Sequence, residues 1–288
     1  MKPRLAVIGL GLIGGSLARA LRAAGAVGAI YGFDPDATQG QTALALGVID
    51  HDAATAAEAV READVVVLAV PVLRTAEALA AVLPALKTGA IVTDVGSTKQ
   101  SVLADVQRAC GVLPPWFVAA HPIAGTEKSG VAAGFAELFR GKRLILTPHA
   151  AQDAAALEAV RDLWAATGAR VVEMEAGRHD AIFAATSHLP HVLAYSFVEL
   201  LADRAESEEI FSNAGGGFRD FTRIASSSPE MWHDIVRANA DEVLQLLKAQ
   251  ITQLQQVQQL IEQGQWSVLK DRFERARVAR EHYLAQIE

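Results

Sequence analysis

Up to about residue 174, seven short apolar runs punctuate the chain: "RLAVIGL" (4–10), "AIYGFD" (29–34), "DVVVLAVP" (64–71), "AIVTDVG" (90–96), "FVAAHP" (117–122), "RLILTP" (143–148) and "ARVVEM" (169–174). Apolar runs of this length without alternation suit strands buried on both faces. Between them lie Ala-rich segments of helical period, such as "IGGSLARALRAAG" (13–25) and "TAEALAAVLPALKTG" (75–89). A strand–helix alternation of this kind specifies a doubly wound α/β domain with a parallel sheet. Beyond residue 175 the strand signals stop. Long helical patterns follow over 180–205 and 229–263, and an amphipathic segment over 265–288 closes the sequence. The 229–263 pattern is read as a single helix, with apolar residues at spacings of three and four (Ile235, Val236, Val243, Leu244, Leu247, Ile251, Leu254, Val257, Ile261). Such a stripe packs against several neighbours or against a second subunit. The reading is a Rossmann-type domain over 1–174 and an all-α domain over 175–288.

Bulk properties narrow the function. Hydrophobic residues make up 51% of the chain and charged residues 20%, enough apolar surface for a large core. The single cysteine, Cys110, excludes an intramolecular disulfide and a cysteine zinc site and fits a cytoplasmic protein. The net charge of −7 argues against nucleic acid as main partner. No run reaches the roughly 18 unbroken apolar residues of a membrane span. The basic, apolar start resembles a signal peptide, but its glycines have a better explanation and leave nothing to cleave.

Those glycines form Gly9-Leu10-Gly11-Leu12-Ile13-Gly14, after a strand and before a helix. Gly9 makes the turn, Gly11 admits a pyrophosphate to the backbone, and Gly14 lets the helix lie close to the sheet. The second strand ends in Asp34, twenty positions beyond Gly14. A carboxylate there accepts hydrogen bonds from ribose hydroxyls and repels a 2′-phosphate, so the expected cofactor is NAD rather than NADP. Pro71 ends the third run beside the cofactor.

The ends of later strands carry the reactive groups: Asp94, Ser97 and Lys99 in "DVGSTK", and His121 in "VAAHP". A histidine is neutral enough near pH 7 to accept a proton, which makes His121 a candidate base. Ser97 is read as its helper and as an N-cap of the helix that follows. His188 and His191 are three apart, with Pro190 distorting the helix between them. This pattern lacks the glutamate and third ligand of zinc sites, so no metal is expected. Arg219 and Arg223 are four apart, hence neighbours on one helix face. Following Gly215-Gly216-Gly217, they suit a carboxylate-bearing ligand.

Together, "GLGLIGGS" (9–16), "DVGSTK" (94–99), "HPIAGTEKSG" (121–130), "SHLPH" (187–191), "GGGFRDFTRIA" (215–225) and "MW" (231–232) resemble the prephenate dehydrogenase family, with its arogenate and cyclohexadienyl members. The resemblance implies NAD-dependent oxidative decarboxylation of prephenate to 4-hydroxyphenylpyruvate on the route to tyrosine. It implies His121 at the ring hydroxyl with Ser97 beside it, and Arg223 at a carboxylate. Thr126, Glu127, His191, Gly216, Arg219 and Trp232 then line the pocket, and a homodimer forms through the helical domain. The short stretch before the first strand leads to the expectation that no mutase or regulatory domain is fused. The alternatives are arogenate as substrate, a related reductase of β-hydroxy acids or imines, and a regulator that senses NAD without turnover.

Overall fold

The computed structural model describes residues 2–126 and 128–287. Its contacts divide the chain into two compact units, 1–240 and 241–288.

The first unit opens with β1 (Leu5–Ile8), α1 (Leu12–Ala23), β2 (Ile30–Phe33), α2 (Ala37–Ala45), β3 (His51–Asp52), α3 (Ala56–Val60), β4 (Val65–Leu68), α4 (Thr75–Val82), β5 (Ile91–Asp94), α5 (Gln100–Cys110) and β6 (Phe117–Val118). The six strands form one parallel sheet in the order β3-β2-β1-β4-β5-β6. Because β1 lies between β2 and β4, the strand order reverses there. The crevice beyond the carboxyl ends of such neighbours is where open α/β sheets bind ligands. Both faces are buried, as the unbroken apolar runs demand. Leu5, Val7, Val65 and Val67 enter one core with Leu17, Leu21 and Trp164, while Ala6, Ile8, Val66 and Leu68 enter another with Leu79, Val82 and Phe117. Each fully buried Leu or Val side chain contributes about 1.5–3 kcal/mol. The two-residue strand β3 carried no apolar signal, since both of its residues are exposed.

The fifth apolar run does not continue the sheet to its end. After β6 the chain turns at Ala119 into β7 (Ala120–Pro122), which pairs antiparallel with β8 (Arg143–Leu146). β8 in turn pairs parallel with β9 (Arg170–Glu173). The reason lies in side chains. The Ala120 N–H donates to Asp94 Oδ1 (3.0 Å) and its carbonyl accepts from Lys99 Nζ (2.6 Å). The Asp94–Lys99 pair therefore takes the place of the next rung of the β5–β6 ladder. The expected single sheet of seven runs is thus two sheets of six and three strands.

Between β8 and β9 lies α6 (Ala154–Ala165), and from Ala176 onward every element is helical. α7 (Ala176–Phe183) passes through a π turn over Ala184–His188 into α8 (Leu189–Ala202). Pro190 lacks the N–H that a regular turn requires, and the widened turn absorbs the mismatch. The continuous helix Ala176–Ala202 is long and apolar enough to cross a membrane by length and composition. It nevertheless carries the polar network described below. α9 (Ser207–Ser212), α10 (Gly216–Thr222) and α11 (Pro229–Ala238) complete the unit. The expected single helix over 229–263 breaks at Asn239, between α11 and α12 (Ala240–Glu262). The buried Asn239 amide donates to the Asp180 carbonyl (2.9 Å) and meets His188 Nδ1 (3.1 Å), contacts that hold the chain in a non-helical conformation.

The second unit comprises most of α12 together with α13 (Trp266–Ile287). Leu244, Ile251, Leu254 and Ile261 on α12 are exposed, as are Trp266, Val268, Phe273, Val278 and Tyr283 on α13.

Candidate active site

The turn from β1 to α1 has the shape a dinucleotide requires. Gly9 adopts a φ of +98°, and a Cβ there would lie 2.3 Å from the Ala69 carbonyl oxygen, just past β4. At Gly14 a Cβ would lie 2.1 Å from the Gly9 carbonyl oxygen, so the helix approaches the sheet only because glycine stands there. At Gly11 the space beside the backbone is open. Leu12 and Ile13 begin α1, so the N–H groups of its first turn face this opening. Asp34 Oδ2 accepts from the Leu10 N–H (2.7 Å) and Oδ1 from Asp36 N–H (2.9 Å). Each oxygen keeps a second lone pair, so the carboxylate is both anchored to the turn and able to accept hydroxyls. Pro71 opens the short helical turn before α4, at the end of the β4 run.

Next to this crevice, Leu68 at the end of β4 is in register with Asp94 at the end of β5. Lys99 is fully buried and its Nζ lies 2.5 Å from Asp94 Oδ2, which also accepts the Gly96 N–H (2.7 Å). Through Ala120, this pair fixes the residue immediately before His121. Burial pulls the Lys99 pKa down, while Asp94 opposes the shift. Ser97 sits in the loop between β5 and α5 but does not cap α5. Asp180 of α7 does so instead, its two oxygens accepting the Lys99 and Gln100 N–H groups (2.8 and 2.9 Å).

His121 lies on β7, opposite Ile145 of β8. Its Nδ1 is 2.8 Å from His179 Nε2, and His179 Nδ1 is 2.7 Å from Asp180 Oδ1. Phe183 packs edge-on against His121 at 5.0 Å and tilted against His179 at 4.5 Å. Burial, then His179, Lys99 and His188, push the His121 pKa well below its ordinary value. His121 is therefore an uncharged imidazole at neutral pH.

The helical elements bring up a second group. His191 Nδ1 donates to the Ser187 carbonyl (2.8 Å), and its ring stacks on Trp232 with centroids 3.4 Å apart. Burial lowers the His191 pKa, the bond to the Ser187 carbonyl opposes the shift, and the positive charge of Arg223 adds to it. Trp232 is buried in the core with Ile235, yet its Nε1–H has no hydrogen-bond partner among the described residues. His188, also buried, links the two groups. It meets Asn239 through Nδ1 and Trp232 edge-on at 6.2 Å.

Other expected residues lie further out. Arg219 is exposed near Asp220, and α10 ends at Thr222, so Arg223 opens a tighter turn rather than continuing the same helix. Gly215, Gly216 and Gly217 have open space where side chains would stand. Exposed Thr126 accepts the Lys128 N–H through Oγ1 (3.2 Å). Glu127 lies outside the described residues. His179, Asp180 and Asn239 were missed in the sequence. Their one signal is an adjacent His-Asp pair at the start of an apolar helix.

Residues 17–173 match the family model for the nucleotide-binding domain of prephenate dehydrogenase, and residues 175–275 match that for its dimerization domain. The chain is 39% identical to cyclohexadienyl dehydrogenase of Zymomonas mobilis, an alignment covering 96% of this chain and 94% of that one. Its structure is similar to that of Aquifex aeolicus prephenate dehydrogenase in complex with hydroxyphenyl propionate and NAD+, with a TM-score of 0.91, 35% identity and 98% of each chain covered. Synechocystis arogenate dehydrogenase is also similar, with a TM-score of 0.81, 26% identity, and 97% of this chain and 99% of that one covered. With this fold, this dinucleotide turn and these matches along nearly its whole length, the chain belongs to the prephenate dehydrogenase family.

Proposed function

We propose that the protein catalyses the NAD-dependent oxidative decarboxylation of prephenate to 4-hydroxyphenylpyruvate. The observation that carries this reading is His121: a neutral imidazole beside the crevice at the β1–β4 switch point, held by Lys99 and Asp94 through Ala120. NAD, held at Gly9–Gly14 and Asp34, supplies the hydride acceptor when bound.

His121 takes the proton of the substrate's ring hydroxyl as the C4–H bond gives up its electron pair. Loss of the ring carboxylate as carbon dioxide then makes the ring aromatic, and the proton on His121 returns to the phenolate oxygen. Aromatisation drives the carbon–carbon cleavage, so the protein need only supply a base, a carboxylate clamp and alignment. Arg223, whose charge acts on His191, is the clamp, with Arg219, Gly216 and Thr126 at the pocket's rim and Ser97 beside the base. The stripes of exposed apolar residues on α12 and α13 fit a second copy of the chain, so the active form is a homodimer through the helical region. In this reading residues 1–174 form the cofactor domain and 175–288 the substrate and dimer domain.

A second reading, arogenate as an additional substrate, is favoured by the similarity to a cyclohexadienyl and an arogenate dehydrogenase. Steady-state kcat/KM for prephenate and arogenate, each with NAD and NADP, tests both readings. NADH formation with prephenate supports the first, and comparable turnover of arogenate supports the second. No reduced cofactor with either substrate overturns both.

A further inference from the structure

We infer that His179 and Asp180 are positioning residues that hold His121 in one tautomer, with its proton on Nδ1 and its lone pair on Nε2. The inference rests on the reading of His121 as the base.

The argument starts at Asp180. Its oxygens accept two backbone N–H groups at the start of α5, where the helix dipole also favours a negative charge. The ionised carboxylate can only accept, so His179 must donate from Nδ1 across the 2.7 Å contact. Burial disfavours a second proton on His179, which leaves its Nε2 as an acceptor. His121 must then donate from Nδ1 across 2.8 Å, and the lone pair of the neutral ring falls on Nε2. That is the one ring nitrogen still open to a substrate hydroxyl. Phe183 packs against both rings and limits their rotation. His179 meets His121 directly, and the charges of Lys99 and His188 also oppose its protonation, with Asp94 bonded to Lys99 and Asp180 to His179. When His121 takes a proton, the chain of bonds through His179 ends on the Asp180 carboxylate. A wrong tautomer presents an N–H to the hydroxyl and cannot act as base.

Two variants and one spectrum test this. Nitrogen-15 NMR of the imidazoles in the folded wild-type protein, without substrate at about pH 7.5, should show neutral His121 protonated on Nδ1. His179→Phe removes the acceptor and should shift His121 toward the Nε2–H form. It should lower kcat by about 10²-fold or more while KM stays within about threefold. His179→Gln places an amide oxygen near the lost Nε2 and should restore at least about tenfold of that kcat. An Nε2–H tautomer in the wild type overturns the inference, as does a His179→Phe enzyme with kcat within about threefold of wild type. The spectrum needs no turnover. An enzyme inactive on both substrates therefore removes the functional reading, while the tautomer of His121 still decides this one.

Discussion

Replacing Lys99 with methionine tests how His121, the proposed base, is held. Lys99 is 0% exposed and Asp94 2%, and the ammonium satisfies both the carboxylate and the Ala120 carbonyl. The variant leaves a buried carboxylate without its counter-charge, although the Gly96 and Ala120 N–H groups still donate to it. Breaking a buried pair from one side costs about 3–5 kcal/mol. The two surviving hydrogen bonds hold the loss near the lower end, and the stranded carbonyl adds about 1 kcal/mol, giving about 3–4 kcal/mol in total. At roughly 2–4 °C per kcal/mol for a unit of this size, Tm should fall by about 6–16 °C, read by circular dichroism at neutral pH. Adding Asp94→Asn removes the uncompensated charge and should recover about half of the loss. Because Ala120 precedes His121, kcat should fall too, even well below the melting temperature. A single variant that loses less than about 1 kcal/mol, or a double variant that is less stable still, refutes the idea that this pair holds the strand.

Other outcomes follow from the same geometry. Arg223→Ala should raise KM by about 10–100-fold with a smaller change in kcat, as expected for a lost charge-assisted contact, and steady-state kinetics check it. His188 has its pKa lowered to about 4 by burial, against 6.5 when unfolded, so the unfolded chain binds the extra proton first. Its contribution to stability is full above the unfolded value and drains as pH falls toward the folded one, by about 2 kcal/mol at about pH 5. Urea denaturation across that window should show a smaller pH dependence in His188→Gln than in the wild type. For turnover, the depressed His121 pKa means that kcat/KM should stay level as pH falls through the usual histidine range and decline only below it, because imidazolium cannot accept a proton. A pH–rate profile with its acid limb at or above about 6.5 contradicts that.

The parallel sheet was legible because both faces of β1 and β4 are buried, which forces unbroken apolar runs. The dinucleotide turn was legible because steric demands at Gly9 and Gly14 leave no alternative to glycine. What the sequence hid depends on contacts between distant residues. The break between β6 and β7 comes from Asp94 and Lys99 capturing Ala120, and local propensity says nothing about that. Ser97 looked like a helix cap from its position, yet Asp180, far along the chain, supplies the acceptor. Asn239 breaks a strongly helical pattern because its amide is bound elsewhere. The spacing of Arg219 and Arg223 promised one helix face, but α10 stops between them. His121 was visible as an ordinary titratable residue after a strand. Its lowered pKa was not, since burial and the charges of His179, Lys99 and His188 act on it only in the fold.

The most direct test of the base is the turnover of His121→Asn with prephenate and NAD, set beside substrate affinity from equilibrium binding. The account predicts kcat lower by about 10²–10⁴-fold with binding little changed. Turnover equal to that of the wild type would contradict it.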